Sequence, residues 1–164
     1  MRFEVHHRFP CTDEQLWSII MDPAYQSEVD RVAGLTRTVL EERASSDGPF
    51  RRVRVEPEAK LPPAAQKVFG SSKLVYVQEQ RWKERDRSMK WRVVLDRASD
   101  RVRCSGDFKV SARAGGECER RVTGEVIVSV PLVGKRIEAR IVESLKESYE
   151  RTAGVTRTWI SERL

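Results

Sequence analysis

From Leu74 to Val130 the chain repeats a period of two, and this alternation constrains its fold more than any other feature. Leu74, Tyr76, Gln78, Gln80 and Trp82 fall on one face of a first strand. Met89, Trp91, Val93 and Leu95 share a face of the next. Val102, Cys104, Gly106, Phe108, Val110 and Ala112 share a face of a third, with Arg103, Ser105, Asp107, Lys109 and Ser111 as alternates. A fourth run covers 118–130 after Ala114-Gly115-Gly116. The connections, Arg85-Asp86-Arg87 and Ser99-Asp100, are short and polar. Apolar-in, polar-out strands joined this way predict antiparallel hairpins in series. Such a sheet has one apolar face that something must cover. The element long enough to do so follows at once. Pro131 stops the last strand, and Leu132 to Ile160 fit one helix. Ile137, Ile141, Leu145 and Tyr149 recur every fourth residue there, with Val133, Val142, Ala153 and Trp159 nearby and Gly154 as a place to bend.

The first part of the chain supplies smaller pieces. Residues 2–10 alternate as a strand ended by Pro10. Thr12 and Gln15 form a capping-box pair that starts a helix carrying Leu16, Trp17, Ile19 and Ile20. Asp22-Pro23 breaks it and begins a second short helix to about Ala33, with Ala24, Tyr25 and Val29 available to face inward. Strands are expected at 35–43 and 50–57 around the turn Ala44 to Gly48. From Leu61-Pro62-Pro63 to Phe69-Gly70 the prolines end a strand, a short amphipathic turn follows, and Gly70 closes it. No repeat, low-complexity segment or linker divides the chain, so residues 1–164 are expected to be a single domain.

Charge and cysteine content narrow the function classes. There are 31 Lys and Arg against 25 Asp and Glu, a net charge of +6. The arginines stand at alternate positions beside glutamates, as a solvated sheet face would place them, so nucleic acid is not the expected partner. Weak contact with an anionic membrane surface fits the same face. No run approaches the ~18 apolar residues of a membrane span. The N-terminus lacks an apolar signal segment, and Cys11, Cys104 and Cys118 form no metal-binding spacing. Free thiols in a cytoplasmic protein are the expectation. A Cys104–Cys118 bridge between neighbouring strands is conceivable, but the spacing gives it no support.

The order strand, two helices, six strands, long helix carries a resemblance. The chain is similar to the START-like, helix-grip superfamily, also called SRPBCC, over nearly its full length. Phe3 to Asp22-Pro23 resembles the opening of that superfamily. Gly124-Glu125-Val126-Ile127-Val128-Ser129-Val130-Pro131-Leu132-Val133-Gly134-Lys135-Arg136-Ile137-Glu138 resembles a stretch of a bacterial domain family of unknown function within it, and a similar stretch occurs in eukaryotic sterol-binding START-like domains. Leu61-Pro62 through Phe69-Gly70, and Gln78 to Trp82, resemble the middle of the bacterial family. The resemblance implies an α+β helix-grip fold: a curved antiparallel sheet of about seven strands, two short N-terminal helices, and a long C-terminal helix enclosing a cavity. It implies lipid-, sterol- or polyketide-like ligands and no particular reaction.

On this reading the expected cavity lining is Trp17, Phe69, Tyr76, Gln78, Gln80, Trp82, Trp91, Val93, Phe108, Val110, Ile141, Leu145 and Tyr149. Most of the aromatics also suit a plain core. Gln78 and Gln80 either meet each other and water inside, or mark an end of the strand near solvent. The loop from Pro62-Pro63 to Phe69 is the expected entrance. Pro131 and Gly134 read as a strand-to-helix corner, and Glu138 as a carboxylate favoured by the helix dipole. No catalytic residue, metal site or cofactor is expected: no nucleophile elbow, phosphate loop or zinc motif is present. A cyclase- or dehydratase-type enzyme is the alternative, with Tyr149, Glu79, His6 or His7 as acid or base. A basic-face interaction module is the other.

Overall fold

A computed structural model describes residues 1–164. The alternating N-terminus forms β1 (Arg2–Phe9), with Phe3, Val5, His7 and Phe9 buried and their neighbours exposed. The capping box then starts α1 (Asp13–Met21): Gln15 donates its backbone N–H to Thr12, and Thr12 returns its own to Gln15. The Asp22 side chain caps α2 (Pro23–Ala33), which ends at Gly34 in the left-handed region. The chain continues through β2 (Leu35–Arg43), β3 (Phe50–Pro57), α3 (Pro63–Phe69), β4 (Tyr76–Lys83), β5 (Ser88–Val94), β6 (Val102–Ala112) and β7 (Cys118–Val128). It ends with α4 (Gly134–Arg163). In α2, Tyr25 is buried and Val29 half-buried, but Ala24, expected to face inward, is exposed.

The seven strands form one antiparallel sheet in the order β1-β7-β6-β5-β4-β3-β2. Consecutive strands pair from β2 to β7, with α3 inserted between β3 and β4, and β1 closes on β7 with Phe3 opposite Gly124 and Phe9 opposite Cys118. Register therefore stacks the apolar rows: Trp91 lies opposite Gly106, and Phe108 opposite both Met89 and Val122. Gly106 has no substitute here, because a Cβ would stand 2.0 Å from the Thr123 carbonyl and 2.7 Å from the Trp91 ring. The opposite face carries the charges in cross-strand pairs: Lys90–Asp107 at 2.9 Å, Arg92–Glu79 at 2.5 Å and Arg121–Glu4 at 3.0 Å. The basic residues are thus interleaved with acids, as the alternation predicts.

The β7–α4 corner differs from expectation in detail. The strand stops at Val128, and the helix starts two residues later than its periodicity suggests. Leu132 adopts φ 68 and is fully exposed, so the chain turns before it can coil. Gly134 then passes so close to the strand that a Cβ would sit 2.2 Å from the Val128 carbonyl. Glu138 does more than complement a dipole. It is buried, accepts from the Val128 backbone N–H at 2.9 Å and from Lys135 Nζ at 3.1 Å, and lies 3.1 Å from the Met1 amino group. These donors, the Val128 N–H foremost, hold its carboxyl down at about 2. All three cysteines are free thiols. Cys104 and Cys118 are not neighbours, since Cys104 pairs with Val126 and Cys118 with Ala112 at the other end of the ladder. Cys118 instead faces Cys11, Sγ to Sγ 3.9 Å.

Candidate functional site

The concave face of the sheet is covered unevenly. Helix α4 approaches α2, β7 and β1 most closely, and α1 packs against β6 and β7. The expected lining residues divide accordingly. Phe69, Gln80, Trp82, Trp91, Phe108 and Val110 are buried in the main core. Trp17, Tyr76, Gln78, Val93, Ile141, Leu145 and Tyr149 are only half-buried, although they sit on inward rows of the strands and helices; the apolar ones pack against that core. Cys104 belongs with this second group.

Burial pushes the Tyr76 phenol up to about 12 and raises that of Tyr149. It also pushes the Cys104 thiol up to about 12. Neither phenol has a hydrogen-bond partner in the protein. The two tyrosines, Cys104 and the Arg37 guanidinium lie within electrostatic range of one another. Arg37 stands on the inward row of β2 opposite Val55, with its Nε 3.2 Å from Asp30 Oδ1 of α2. Burial raises the Asp30 carboxyl, and Arg37 pulls it back. The site thus combines side chains withdrawn from bulk water with polar atoms that protein does not satisfy.

The glutamines meet each other. Trp82 Nε1 donates to Gln80 Oε1 at 3.1 Å, and Gln80 Nε2 donates to Gln78 Oε1 at 2.8 Å. The strand end carrying Gln78 is therefore tied into the core through Gln80 and Trp82.

A second polar chain runs across β1, β7 and α4. Arg120 is buried on the inward row of β7, opposite His7 and Val110. Its Nη2 donates to His7 Nδ1 at 3.1 Å and to the Tyr149 carbonyl at 3.3 Å. His7 Nε2 lies 2.9 Å from Glu150 Oε1. An imidazole that accepts from an arginine at Nδ1 must carry its proton on Nε2, so His7 is neutral and donates to Glu150. Burial, then the Arg120 charge, holds His7 below the usual histidine range. The guanidinium also lies 5.3 Å from the Phe9 ring centroid and 5.7 Å from that of Tyr149. The other groups considered for acid–base work are engaged elsewhere. His6 faces the opposite side and contacts Glu119 and Glu4. Glu79 lies on the charged face against Arg92 and Arg52.

A cavity of about 320 Å³ opens at the sheet end where α3 lies, lined by Phe69, Gly70, Lys73, Leu74, Leu95 and Arg97 among others. A groove of about 460 Å³ runs outside, between α2 and the last turns of α4. No cluster of three or more His, Cys, Asp or Glu side chains could hold a metal ion, and no helix is long and apolar enough to cross a membrane.

Sequence reasoning does not single out Arg37, Asp30, Cys104 or Arg120 as site residues. For Arg120 a signal existed: Cys118, Val122, Gly124, Val126 and Val128 form one apolar row, and an arginine interrupts it. Asp30 and Arg37 carried none, because their meeting depends on how α2 folds back on β2.

Comparison with known proteins supports this architecture. The structure superposes on TTHA0849 from Thermus thermophilus with a TM-score of 0.69 at 12% identity, covering 96% of this chain and 95% of that one. A START superfamily protein from Mycobacterium smegmatis matches with a TM-score of 0.65 at 11% identity over 99% of both chains. The Zhui aromatase/cyclase from Streptomyces sp. R1128 matches with a TM-score of 0.59 at 11% identity, covering 96% of this chain and 90% of that one. At such identities the likeness is one of fold. A search of curated protein sequences finds no match. The sequence model that does match, described as "Protein of unknown function (DUF2505)", spans residues 4–160. That coverage, with the helix-grip fold seen here, places the chain in the DUF2505 family.

Proposed function

We propose that residues 1–164 form one binding unit for an apolar small molecule, a carrier or sensor rather than a catalyst, with the ligand held between the curved sheet and α4. One observation carries this reading. Tyr76, Val93, Cys104, Ile141, Leu145 and Tyr149 face inward yet stay half-covered, while burial strongly raises Tyr76 and Cys104. Side chains withdrawn from bulk water without being fully packed are what the border of a ligand space would present. An apolar ligand there would gain about 25 cal/mol per Å² of buried apolar surface. The opening near Phe69 and Leu74 would be its entrance, as loops on a rigid scaffold often are. Work in the cytoplasm and a passing contact with an anionic membrane surface suit such a carrier.

The same groups argue against catalysis. A thiol near 12 is protonated at neutral pH and a poor nucleophile, and phenols raised by burial are poor bases. The test is to purify the protein, denature it, extract with organic solvent and analyse the extract by mass spectrometry. A near-stoichiometric lipid-, sterol- or polyketide-like molecule is expected. An empty extract, together with no thermal shift across a panel of such molecules, overturns the reading.

A further inference from the structure

We propose that the molecule bound at this site ends in a carboxylate, and that Arg120 selects for it. The inference rests on the binding reading above and adds the chemical class of the ligand. Arg120 is only 4% exposed, and no carboxylate pairs with it. The nearest acid in its chain of contacts, Glu150, is separated from it by the whole His7 imidazole. Arg92, Arg121 and Arg37 of the sheet have acids beside them, and the sheet arginines that do not, Arg8, Arg81 and Arg103, are exposed to water. A buried cation left without a counter-charge is costly, so proteins rarely keep one without a use.

Its donors tell the same story. Nη2 is spent on His7 and on the Tyr149 carbonyl, whereas Nε is sealed from solvent with no acceptor. The His7–Glu150 chain fixes the side chain's position without neutralising it. Tyr149 stands over the guanidinium at 5.7 Å and belongs to the half-covered patch with Tyr76. An acidic head entering between the two phenols meets hydroxyls able to donate. Reaching the edge of Arg120 requires the Tyr149 ring, 5.7 Å from the guanidinium, to turn aside. The apolar remainder would lie along Val93, Ile141 and Leu145. Arg37 adds positive potential but already has Asp30. Phe9 and Tyr149 also flank Arg120 with their rings, which is a purely structural use, and the experiment must separate the two.

The test uses the full chain, stripped of any co-purified molecule. Saturated C10–C16 carboxylic acids and primary alcohols of matched length are titrated calorimetrically at pH 7.5. We expect the acid to bind at least about tenfold more tightly than its alcohol, since charge-assisted hydrogen bonds are about twice as strong as neutral ones. Arg120→Met should abolish that preference, weakening the acid more than the alcohol. Arg120→Lys should restore part of it. A folded Arg120→Met protein that still prefers acids overturns the assignment. Equal binding of acids and alcohols by the unaltered protein overturns it too, leaving the binding reading intact. This comparison decides even if the variant does not fold. Failure of both series at every length removes the binding reading for this ligand class and the inference with it.

Discussion

The two halves of the concave face make opposite use of the same alternation. Under α1 and α4, the rows of β1 and β7 are packed shut: Phe9, Cys118, Val122 and Val126 are almost wholly buried. Toward β4, β5 and the start of β6 the inward rows continue, but Tyr76, Gln78, Val93 and Cys104 remain half-covered. Gln78 is an amide and Tyr76 carries a hydroxyl, but Val93 is as apolar as Val122. Helix α4 makes its close approaches to β7, β1 and α2, away from β5. The first half stabilises the fold, and the second leaves inward surface that α4 does not close over.

Substitutions can break this contrast, and they rank by size. Phe9→Ala, in the closed half, should cost about 3–5 kcal/mol in chemical denaturation. A cost near 1 kcal/mol would mean that half is loosely packed. The corner at Glu138 comes next. Its carboxyl is held at about 2, below the ordinary 4.5, so its contribution is complete above about pH 5 and lost as pH falls toward 2. That loss should reach up to about 3 kcal/mol, and Glu138→Gln should flatten this part of the pH–stability curve. A curve unchanged by the substitution would show that the buried carboxylate does not anchor the corner.

A pair of matched insertions sharpens the comparison further. Cys118→Phe should cost about 1–3 kcal/mol through overpacking. Cys104→Phe should cost less than about 1 kcal/mol and should reduce the ligand recovered by extraction. Equal costs would erase the distinction between the halves. The smallest effect belongs to the outer face. Arg92→Ala removes an exposed pair with Glu79 and should change stability by less than about 1 kcal/mol, and by still less in high salt.

Much of this was legible from sequence for a simple reason. Strand rows, the Thr12 cap, Pro131 and the long apolar stripe of α4 are local patterns, and each fixes its element without help from distant residues. The strand-to-helix corner was placed to within two residues, and only the left-handed Leu132 shifted it. The inward rows were legible too. How far each residue is covered was not, because coverage depends on where α4 lies above the sheet. The contact of His7 with Glu150 across 143 positions follows from that docking, and that of Arg37 with Asp30 from the way α2 folds back on β2. For the same reason the sequence shows Glu138 only as a carboxylate favoured by the helix dipole: its hydrogen bond to the Val128 N–H depends on how the chain passes at Gly134 against Val128.

The indole of Trp82 has a consequence that reaches beyond the core. An indole N–H can donate and cannot accept. Gln80 must therefore turn its carbonyl toward Trp82 and its amino group toward Gln78. Gln78 in turn spends its carbonyl on Gln80, which leaves its own NH₂ as the free end. The chain thus has a polarity, set at its buried terminus and read out at the half-covered one. A guest that lies against Gln78 finds a donor there and has to bring an acceptor.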